Sequence, residues 1–270
     1  MRRLLPLTVI LALAACGKSD APSGGGGEST PPVTADQSGP SDPGPIDPAT
    51  VGTITGTVRL EGWLKPDGNV PMDSIPYCAA QHKEAVVGDT LVLGDGQTMA
   101  NVLVYVKSGL GRRKFPVATT PKVLDQVGCL YKPHVISLMV NQPLVIHNND
   151  DILHNVHGYP KLSAPFNDGQ ATKGLENTYK IPVAEPDITV KCDVHPWMGA
   201  IIHVIPHPFH VVTERNGTFT LSGLPPGEYV IEARHERFAK APLVAQVKVG
   251  AKETVKQDFV FKGGAKPDSK

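Results

Sequence analysis

Beyond residue 50 the chain alternates short apolar runs with polar turns. The segment GTITGTVRL places apolar residues at alternating positions, and NVLVYV is a continuous β-branched run. Period-two alternation and β-branched runs of this length predict β-strands. No strong 3.6-residue periodicity appears after residue 20, and only YCAAQHKEAV favours short helical turns. The predicted fold class is therefore all-β, built of sandwiches.

Further apolar runs predict the remaining strands. They are PHVISLMVNQPLVIHN, GTFTLSGLPPGEYVIEARH, DITVKC, AIIHVI, PLVAQVKV and VKQDFVF, of which the first two each contain a turn between two strands. Proline and glycine at those turns end one strand and begin the next.

The N-terminus has a different pattern. A pair of arginines precedes the apolar run 4–13, which is too short to span a bilayer. The run ends in LAAC, which resembles a bacterial lipobox. The resemblance implies that residues 1–16 are a lipoprotein signal peptide and that Cys16 becomes lipid-modified. An ordinary signal peptide is the alternative. Gly17 favours, by analogy, the outer membrane and a periplasm-facing position in the cell envelope.

Two terminal stretches lack the apolar residues of a core. Residues 17–50 are dominated by Gly, Ser, Pro and Asp, and we predict a disordered linker that tethers the folded part to the membrane. Residues 263–270 are predicted to be a disordered tail.

The chain has 26 basic and 26 acidic residues, so its formal net charge is zero. Without a basic stripe, no nucleic-acid partner is expected.

Two separated segments resemble one domain. GTITGTVRLEG resembles the opening, and GTFTLSGLPPGEYVIEARHE the middle, of a carboxypeptidase-regulatory-like (prealbumin-like) sandwich. The resemblance implies a smaller, split sandwich over 51–121 and 208–262, with residues 122–207 inserted. The alternative is two sequential domains, 51–207 and 208–262. The second of these would be short for an independent core, which favours the nested arrangement.

The segment KCDVHPWM carries candidate metal chemistry. It places Cys192, His195 and Met198 three residues apart in succession. A thiolate, imidazoles and a weak thioether form the ligand set of blue-copper electron-transfer sites. The soft sulfur ligands suit Cu(I), and imidazole accommodates Cu(II). Taken alone, the three residues are also compatible with ordinary loop packing.

Residues further upstream complete a family resemblance. YKPHVISLMVNQPLVIHNND and the His-Asn-Val-His segment at 154–157 resemble cupredoxins, above all the amicyanin group with its short Cys-to-Met loop. The sequence departs from the family at 141–143, where a turn glycine is usual. The resemblance implies a Greek-key cupredoxin sandwich over 122–207 with one mononuclear type 1 copper ion, Cu(I)/Cu(II). The ligands it implies are His154, Cys192, His195 and Met198.

The same resemblance gives roles to neighbouring residues. The backbone N–H of Asn155 would donate to the Cys192 sulfur, and the Asn155 side chain would tie the two ligand loops together. Pro196 and Trp197 would flank an exposed imidazole edge of His195. That apolar surface would be the docking face for a redox partner.

The other histidines have less specific patterns. His157 is predicted to lie at the surface or beside the ligands, and His147 is predicted to be structural. His203, His207 and His210 are either a second copper site or solvent-exposed strand and loop histidines, and the second interpretation is favoured.

Two cysteines are assigned to neither lipid nor copper. An extracytoplasmic compartment favours a disulfide between Cys78 and Cys129. The alternative is a Cys2His2 metal site with His82 and His134, for which the spacing fits weakly.

These residues predict a membrane-tethered periplasmic blue-copper protein. It would carry single electrons between redox partners, such as a c-type cytochrome or a dehydrogenase, and it would not be an enzyme. The paired His-x-His motifs of multicopper oxidases do not occur in the sequence.

The alternative is an extracytoplasmic glycan- or protein-binding module whose copper site is secondary or empty. That function would need an exposed aromatic platform, for which Trp63, Tyr229 and Phe238 are the candidates.

Overall fold

The structure, a computed structural model, describes residues 44–267. The predicted signal peptide, the lipidation site Cys16 and most of the predicted linker therefore lie outside the described residues. Within residues 44–267, no helix combines the length and the apolar character needed to cross a membrane.

Strands dominate the described residues, and the predicted all-β fold class is confirmed. The strands, in chain order, are β1 (Gly52–Glu61), β2 (Leu103–Ser108), β3 (Lys122–Gln126), β4 (Tyr131–Lys132), β5 (Val135–Met139), β6 (Leu144–Asn148), β7 (His154–Tyr159), β8 (Phe166–Gln170), β9 (Glu176–Tyr179), β10 (Glu185–Lys191), β11 (Gly199–Ile205), β12 (His210–Val212), β13 (Thr218–Leu224), β14 (Gly227–Arg234), β15 (Leu243–Val249), β16 (Thr254–Lys256) and β17 (Phe259–Lys262). A short helix, α1 (Pro76–Ala80), lies in the segment that favours helical turns, and 3₁₀ turns occupy Met72–Ser74, Asp95–Gln97 and Glu236–Phe238.

The first sandwich is built around β1. One sheet has the order β13-β1-β16, with β17 also paired to β1, and the other has the order β12-β2-β14-β15. Ile54, Val58 and Leu60 point into the core because successive strand residues face opposite sides. A close contact requires glycine at position 56, since an added Cβ would lie 1.8 Å from the carbonyl oxygen of Gln257. Only glycine allows the chain after β16 to pass so closely.

The second sandwich contains β3–β11. Its sheets have the orders β5-β11-β10-β7-β8 and β4-β3-β6-β9. Its core lies between them and includes Leu124, Leu138, Ile146, Ile188 and Ile202, each fully buried. Near-continuous apolar runs such as VISLM are expected for a strand covered on both faces.

Strand pairing joins segments on either side of the second sandwich. β1 pairs with β13, and β2 pairs with both β12 and β14. The chain therefore leaves the first sandwich after β2, forms the second sandwich, and returns at β12.

The segments that build the two sandwiches differ from the predicted domain limits. Met72 and Cys78 belong to the second core, although they precede residue 121. Ile46, which lies within the predicted linker, packs against the first core. Gly264, which lies within the predicted tail, forms a bridge with Trp63. Local composition does not reveal such long-range contacts.

Buried side chains join the two sandwiches. Leu103 and Tyr105 of β2 pack with Ile205 of β11 in a separate small cluster. His203 and His207 are buried at this junction, with 3% and 6% exposure. The expectation of solvent exposure is therefore wrong for His203 and His207, and His210 is half-buried. The reason is that β11 packs against β2, and His207 bonds to Val106 of β2.

His207 shows how such a ring is held neutral. Its Nε2 lies 2.8 Å from the Val106 carbonyl oxygen, and its Nδ1 accepts from the Phe209 N–H at 3.2 Å. A nitrogen that accepts a hydrogen bond carries no proton. Burial, the largest cause, lowers the pKa of His207 to about 4.

We expect the apoprotein to lose stability in acid because of this ring. The unfolded chain binds a proton near pH ~6.5, whereas the folded chain does so only near pH 4. The stabilisation is complete above the unfolded pKa and is lost as pH falls, by about 3 kcal/mol for one such ring. Urea unfolding at several pH values should show a smaller acid loss for His207→Gln than for the wild type. Equal pH dependence of the two proteins would contradict the assignment.

Candidate metal centre

The five-stranded sheet brings the two predicted ligand segments to one edge. His154 is the first residue of β7, and Cys192 directly follows the last residue of β10. β7 and β10 are neighbouring antiparallel strands, with Lys191 opposite His157. The start of one antiparallel strand lies beside the end of its neighbour. The sheet therefore places His154 next to Cys192.

A tight turn supplies the other two residues. The Cys192 N–H donates to the Met198 carbonyl oxygen at 3.2 Å, and the Met198 N–H donates to that of His195 at 2.9 Å. These bonds close the connection between β10 and β11 over seven residues, Cys192 to Met198. None of the four predicted ligands is more than 2% exposed.

Three donor atoms converge in this pocket. His154 Nδ1 lies 3.0 Å from His195 Nδ1, and His195 Nδ1 lies 3.6 Å from the Cys192 sulfur. Met198 is packed in the same buried cluster as Cys192. Two imidazole nitrogens that face each other and a thiol fit a cation that prefers nitrogen and sulfur. The donor set therefore fits a copper ion.

The environment of Cys192 favours its thiolate form. Burial by itself would raise the thiol pKa, but hydrogen bonds with His154 and His195 and from the Asn155 N–H lower it to about 6. The thiolate is the form of cysteine that binds metals. At neutral pH the side chain is therefore already prepared as a ligand.

Asn155 connects the two ligand segments. Its N–H lies 3.5 Å from the Cys192 sulfur. Its side-chain amide donates to the Asp193 carboxylate at 2.8 Å and accepts from the Asp193 N–H at 2.6 Å. Both contacts correspond to the roles expected from the sequence resemblance. They fix the position of the β7 start relative to the Cys192 loop.

Asp150 is a supporting residue that the sequence analysis missed. Its carboxylate lies 3.0 Å from His154 Nε2 and is 3% exposed. Burial would raise the Asp150 pKa, but bonds with His154 and with backbone N–H groups lower it. An Nε2–H bond to a carboxylate leaves Nδ1 free as a metal ligand. The available indication was an acidic residue four positions before the predicted ligand His154.

The predicted docking face differs from the expectation in the exposure of His195. Pro196 is exposed, but Trp197 is half-buried and His195 has no exposed surface. The expected exposed imidazole edge is therefore not found. The sulfurs of Cys78 and Cys129 are among the atoms beside this ring, since each lies within 4.8 Å of a ring nitrogen of His195.

Those two sulfurs are bonded to each other. Cys78 and Cys129 form a disulfide with an S–S distance of 2.03 Å. Neither sulfur is therefore available as a thiolate for the alternative Cys2His2 site. His82 and His134 bond instead to backbone carbonyls, at 2.8 and 3.1 Å.

The remaining histidines lie outside the group of donor atoms. His157 bonds to Asp193 at 2.9 Å and stacks on Tyr159, with ring centroids 4.0 Å apart. His147 lies 3.7 Å from a carboxylate oxygen of Asp125, and His210 bonds to the hydroxyl of Ser137. Among the described residues, none of these three joins His154, Cys192 and His195 in one group of potential metal ligands.

Comparisons with known proteins give only partial matches. No protein-family model matches the chain, and no curated protein matches it. A purple cupredoxin from Nitrosopumilus maritimus is similar at 16% identity over 31% of this chain and 98% of that chain, with a TM-score of 0.27. A reduced mutant of amicyanin is similar at 21% identity over 33% of this chain and 85% of that chain, with a TM-score of 0.29. A Cu(I) mutant of amicyanin is similar at 17% identity over 37% and 97%, with a TM-score of 0.29. The metal assignment therefore depends on the geometry of this chain.

Proposed function

We propose that this protein is a copper-binding electron carrier of the cell envelope. The observation that carries the proposal is the convergence of His154 Nδ1, His195 Nδ1 and the Cys192 sulfur in one buried pocket. We infer that the second sandwich is a cupredoxin-type domain and the first a regulatory-like domain. Copper bound by these residues and Met198 would alternate between Cu(I) and Cu(II) and so carry one electron.

The residues of the site perform three tasks. The Cys192 thiolate and the two imidazoles supply the donor set, and Met198 supplies a weak thioether. Asp150 orients His154, while Asn155 ties the ligand segments together. All four proposed ligands are buried, so water and a substrate would have little access to an ion held by them. Such a closed donor set supports electron transfer rather than catalysis.

The cellular setting is part of the proposal. The lipobox resemblance at Cys16 supports a lipid anchor, with the folded part facing the periplasm and the outer membrane favoured. A c-type cytochrome or a dehydrogenase is the proposed kind of partner. Pro196 remains the proposed docking residue, with Trp197 beside it, and Leu153 and Val194 add apolar surface with 44% and 40% exposure.

The three aromatic candidates among the described residues do not favour the alternative of a glycan-binding module. Tyr229 is 2% exposed, and Phe238 stacks on Phe261 with ring centroids 4.6 Å apart. Trp63 is half-buried and bridges Gly264. These aromatic residues therefore present no exposed platform.

Substitution of two nearby histidines tests the function. In copper-loaded protein, His154→Ala should remove the thiolate-to-copper absorption and the reversible one-electron voltammetric response, because it deletes a ligand. His157→Ala should preserve both, because that ring bonds to Asp193 and lies outside the donor group. Loss of colour in His157→Ala, or its retention in His154→Ala, would contradict the ligand assignment. A wild-type protein that binds no copper would refute the function itself.

A further inference from the structure

One segment supplies no ligand itself, but it contacts every part of the site that carries a proposed ligand. Residues 128–131 follow β3 and end at Tyr131, the first residue of β4. We call them the 128–131 segment. The N–H of Val127 donates to the Leu130 carbonyl oxygen at 3.0 Å, so the segment forms a tight turn. Its contacts reach His154, the Cys192–Met198 turn and the strand before Cys192.

The first contact reaches His154 through Asp150. The N–H groups of Gly128 and Cys129 donate to the two oxygens of the Asp150 carboxylate, at 2.8 and 2.7 Å. Gly128 and Cys129 have φ values of 63° and 54°, a left-handed conformation that few non-glycine residues adopt. Successive N–H groups in such a conformation form a concave site for an anion. The same carboxylate then holds His154 Nε2 at 3.0 Å.

The second contact reaches the turn that carries His195. The indole N–H of Trp197 donates to the Cys129 carbonyl oxygen at 3.0 Å. The disulfide sulfurs lie within 4.8 Å of a ring nitrogen of His195. His195 Nε2 is buried and has no hydrogen-bond partner. Packing, to which the disulfide contributes, therefore restrains the ring where no hydrogen bond holds Nε2.

The third contact spans both ligand strands. The Tyr131 hydroxyl donates to the carbonyl oxygen of Asn155 at 2.6 Å and also lies 3.3 Å from that of Lys191. Asn155 follows the ligand His154, and Lys191 precedes the ligand Cys192. Tyr131 is 1% exposed, so water does not compete for these bonds.

The segment is itself anchored at two points. The disulfide joins Cys129 to Cys78 in α1, which is packed in the second core. His82, which follows α1, bonds through Nε2 to the Gly128 carbonyl oxygen at 2.8 Å. The conformation of the segment therefore depends on a part of the chain that precedes the second sandwich.

We infer that the 128–131 segment is a positioning element of the metal centre, with Tyr131 as its principal side chain and the Cys78–Cys129 disulfide as its anchor. The inference rests on the proposed copper function. The segment holds the ligand loops in the metal-binding arrangement before the metal arrives. High-affinity copper binding therefore requires the disulfide to have formed.

The test compares matched tyrosine variants. Tyr131→Phe removes one hydroxyl and retains the buried ring, whereas Tyr105→Phe removes a buried hydroxyl that bonds to Glu232 in the first sandwich. Copper affinity is measured by competition with a chromogenic chelator. Loss of a group that orients metal ligands typically weakens binding about 10- to 100-fold, and we expect a loss of about 10-fold or more for Tyr131→Phe. Tyr105→Phe should bind as the wild type does, and the Cys78→Ser, Cys129→Ser double variant should lose at least as much affinity as Tyr131→Phe.

A metal-free readout separates this inference from the proposed function. Amide hydrogen exchange of the apoprotein at residues 154–155 and 192–198 should accelerate in Tyr131→Phe and in the double cysteine variant, but not in Tyr105→Phe. Unchanged exchange and affinity in Tyr131→Phe, or equal changes in Tyr105→Phe, would overturn the inference. A wild-type protein that binds no copper would refute the proposed function, while the exchange comparison would still decide the positioning role.

Discussion

Cys192→Ser is expected to abolish the intense visible absorption of the copper-loaded protein. That absorption arises from charge transfer between a thiolate and Cu(II), and Cys192 is the free cysteine among the described residues. Its thiol pKa of about 6 means that the wild type presents a thiolate at neutral pH. A serine hydroxyl neither ionises there nor provides a soft donor. Optical titration of apoprotein with copper checks the expectation.

The control for this variant is its fold. Cys192 is 2% exposed, and serine is close to it in size, so the apoprotein should retain its circular dichroism spectrum. A folded Cys192→Ser protein that keeps the wild-type absorption would show that the colour has another source. An unfolded variant would be replaced by Cys192→Ala, which adds no buried hydroxyl.

Arg234→Met is expected to destabilise the fold by about 3 to 5 kcal/mol, the usual effect of removing one partner of a buried ion pair. Arg234 Nη1 lies 2.7 Å from the Glu232 carboxylate, and Nη2 bonds to Asp187 in the second sandwich. Glu232 is 1% exposed and also accepts from Lys107 and Tyr105. Without Arg234, the charge of Glu232 is only partly compensated in a buried position. Urea unfolding of the apoprotein measures the change.

An exposed pair provides the matched control. Lys248 lies 3.4 Å from Glu228, and these side chains are 80% and 79% exposed. Lys248→Met should change the free energy of unfolding by less than about 1 kcal/mol, since solvent screens such pairs. Equal effects of the two variants would contradict a structural role for the buried network between the sandwiches.

Local patterns in the sequence predicted much of the fold. β1, β5 and β11 were predicted because their apolar residues mark a buried face or a covered strand. Several strands were not predicted, among them β8 and β12. β8, with the sequence FNDGQ, carries polar residues on both faces, and β12 has only three residues, so neither has a recognisable period. Such strands exist because a neighbouring strand offers hydrogen bonds, which local hydrophobicity does not record.

The proposed ligands were predictable from the sequence, whereas two of the residues that support them were not. Cys192, His195 and Met198 lie within one turn, and their spacing indicates a metal site when it is combined with the His-Asn-Val-His segment at 154–157. Tyr131 acts through a hydrogen bond across the fold, and no spacing rule connects it to the predicted ligands. Asp150 lies only four residues before His154, but its carboxylate is held by the N–H groups of Gly128 and Cys129. The ring of His195 likewise lies beside a disulfide formed with a distant segment. Long-range contacts of this kind can be identified only in the folded structure.

X-ray absorption spectroscopy at the copper edge, on the purified, copper-loaded protein, tests the central claim most directly. We expect one bound copper per chain, with one short copper–sulfur distance from Cys192 and two imidazole nitrogens from His154 and His195. The sulfur contribution should disappear in Cys192→Ser. A copper ion surrounded only by nitrogen and oxygen, or a protein that retains no copper after desalting, would contradict the account.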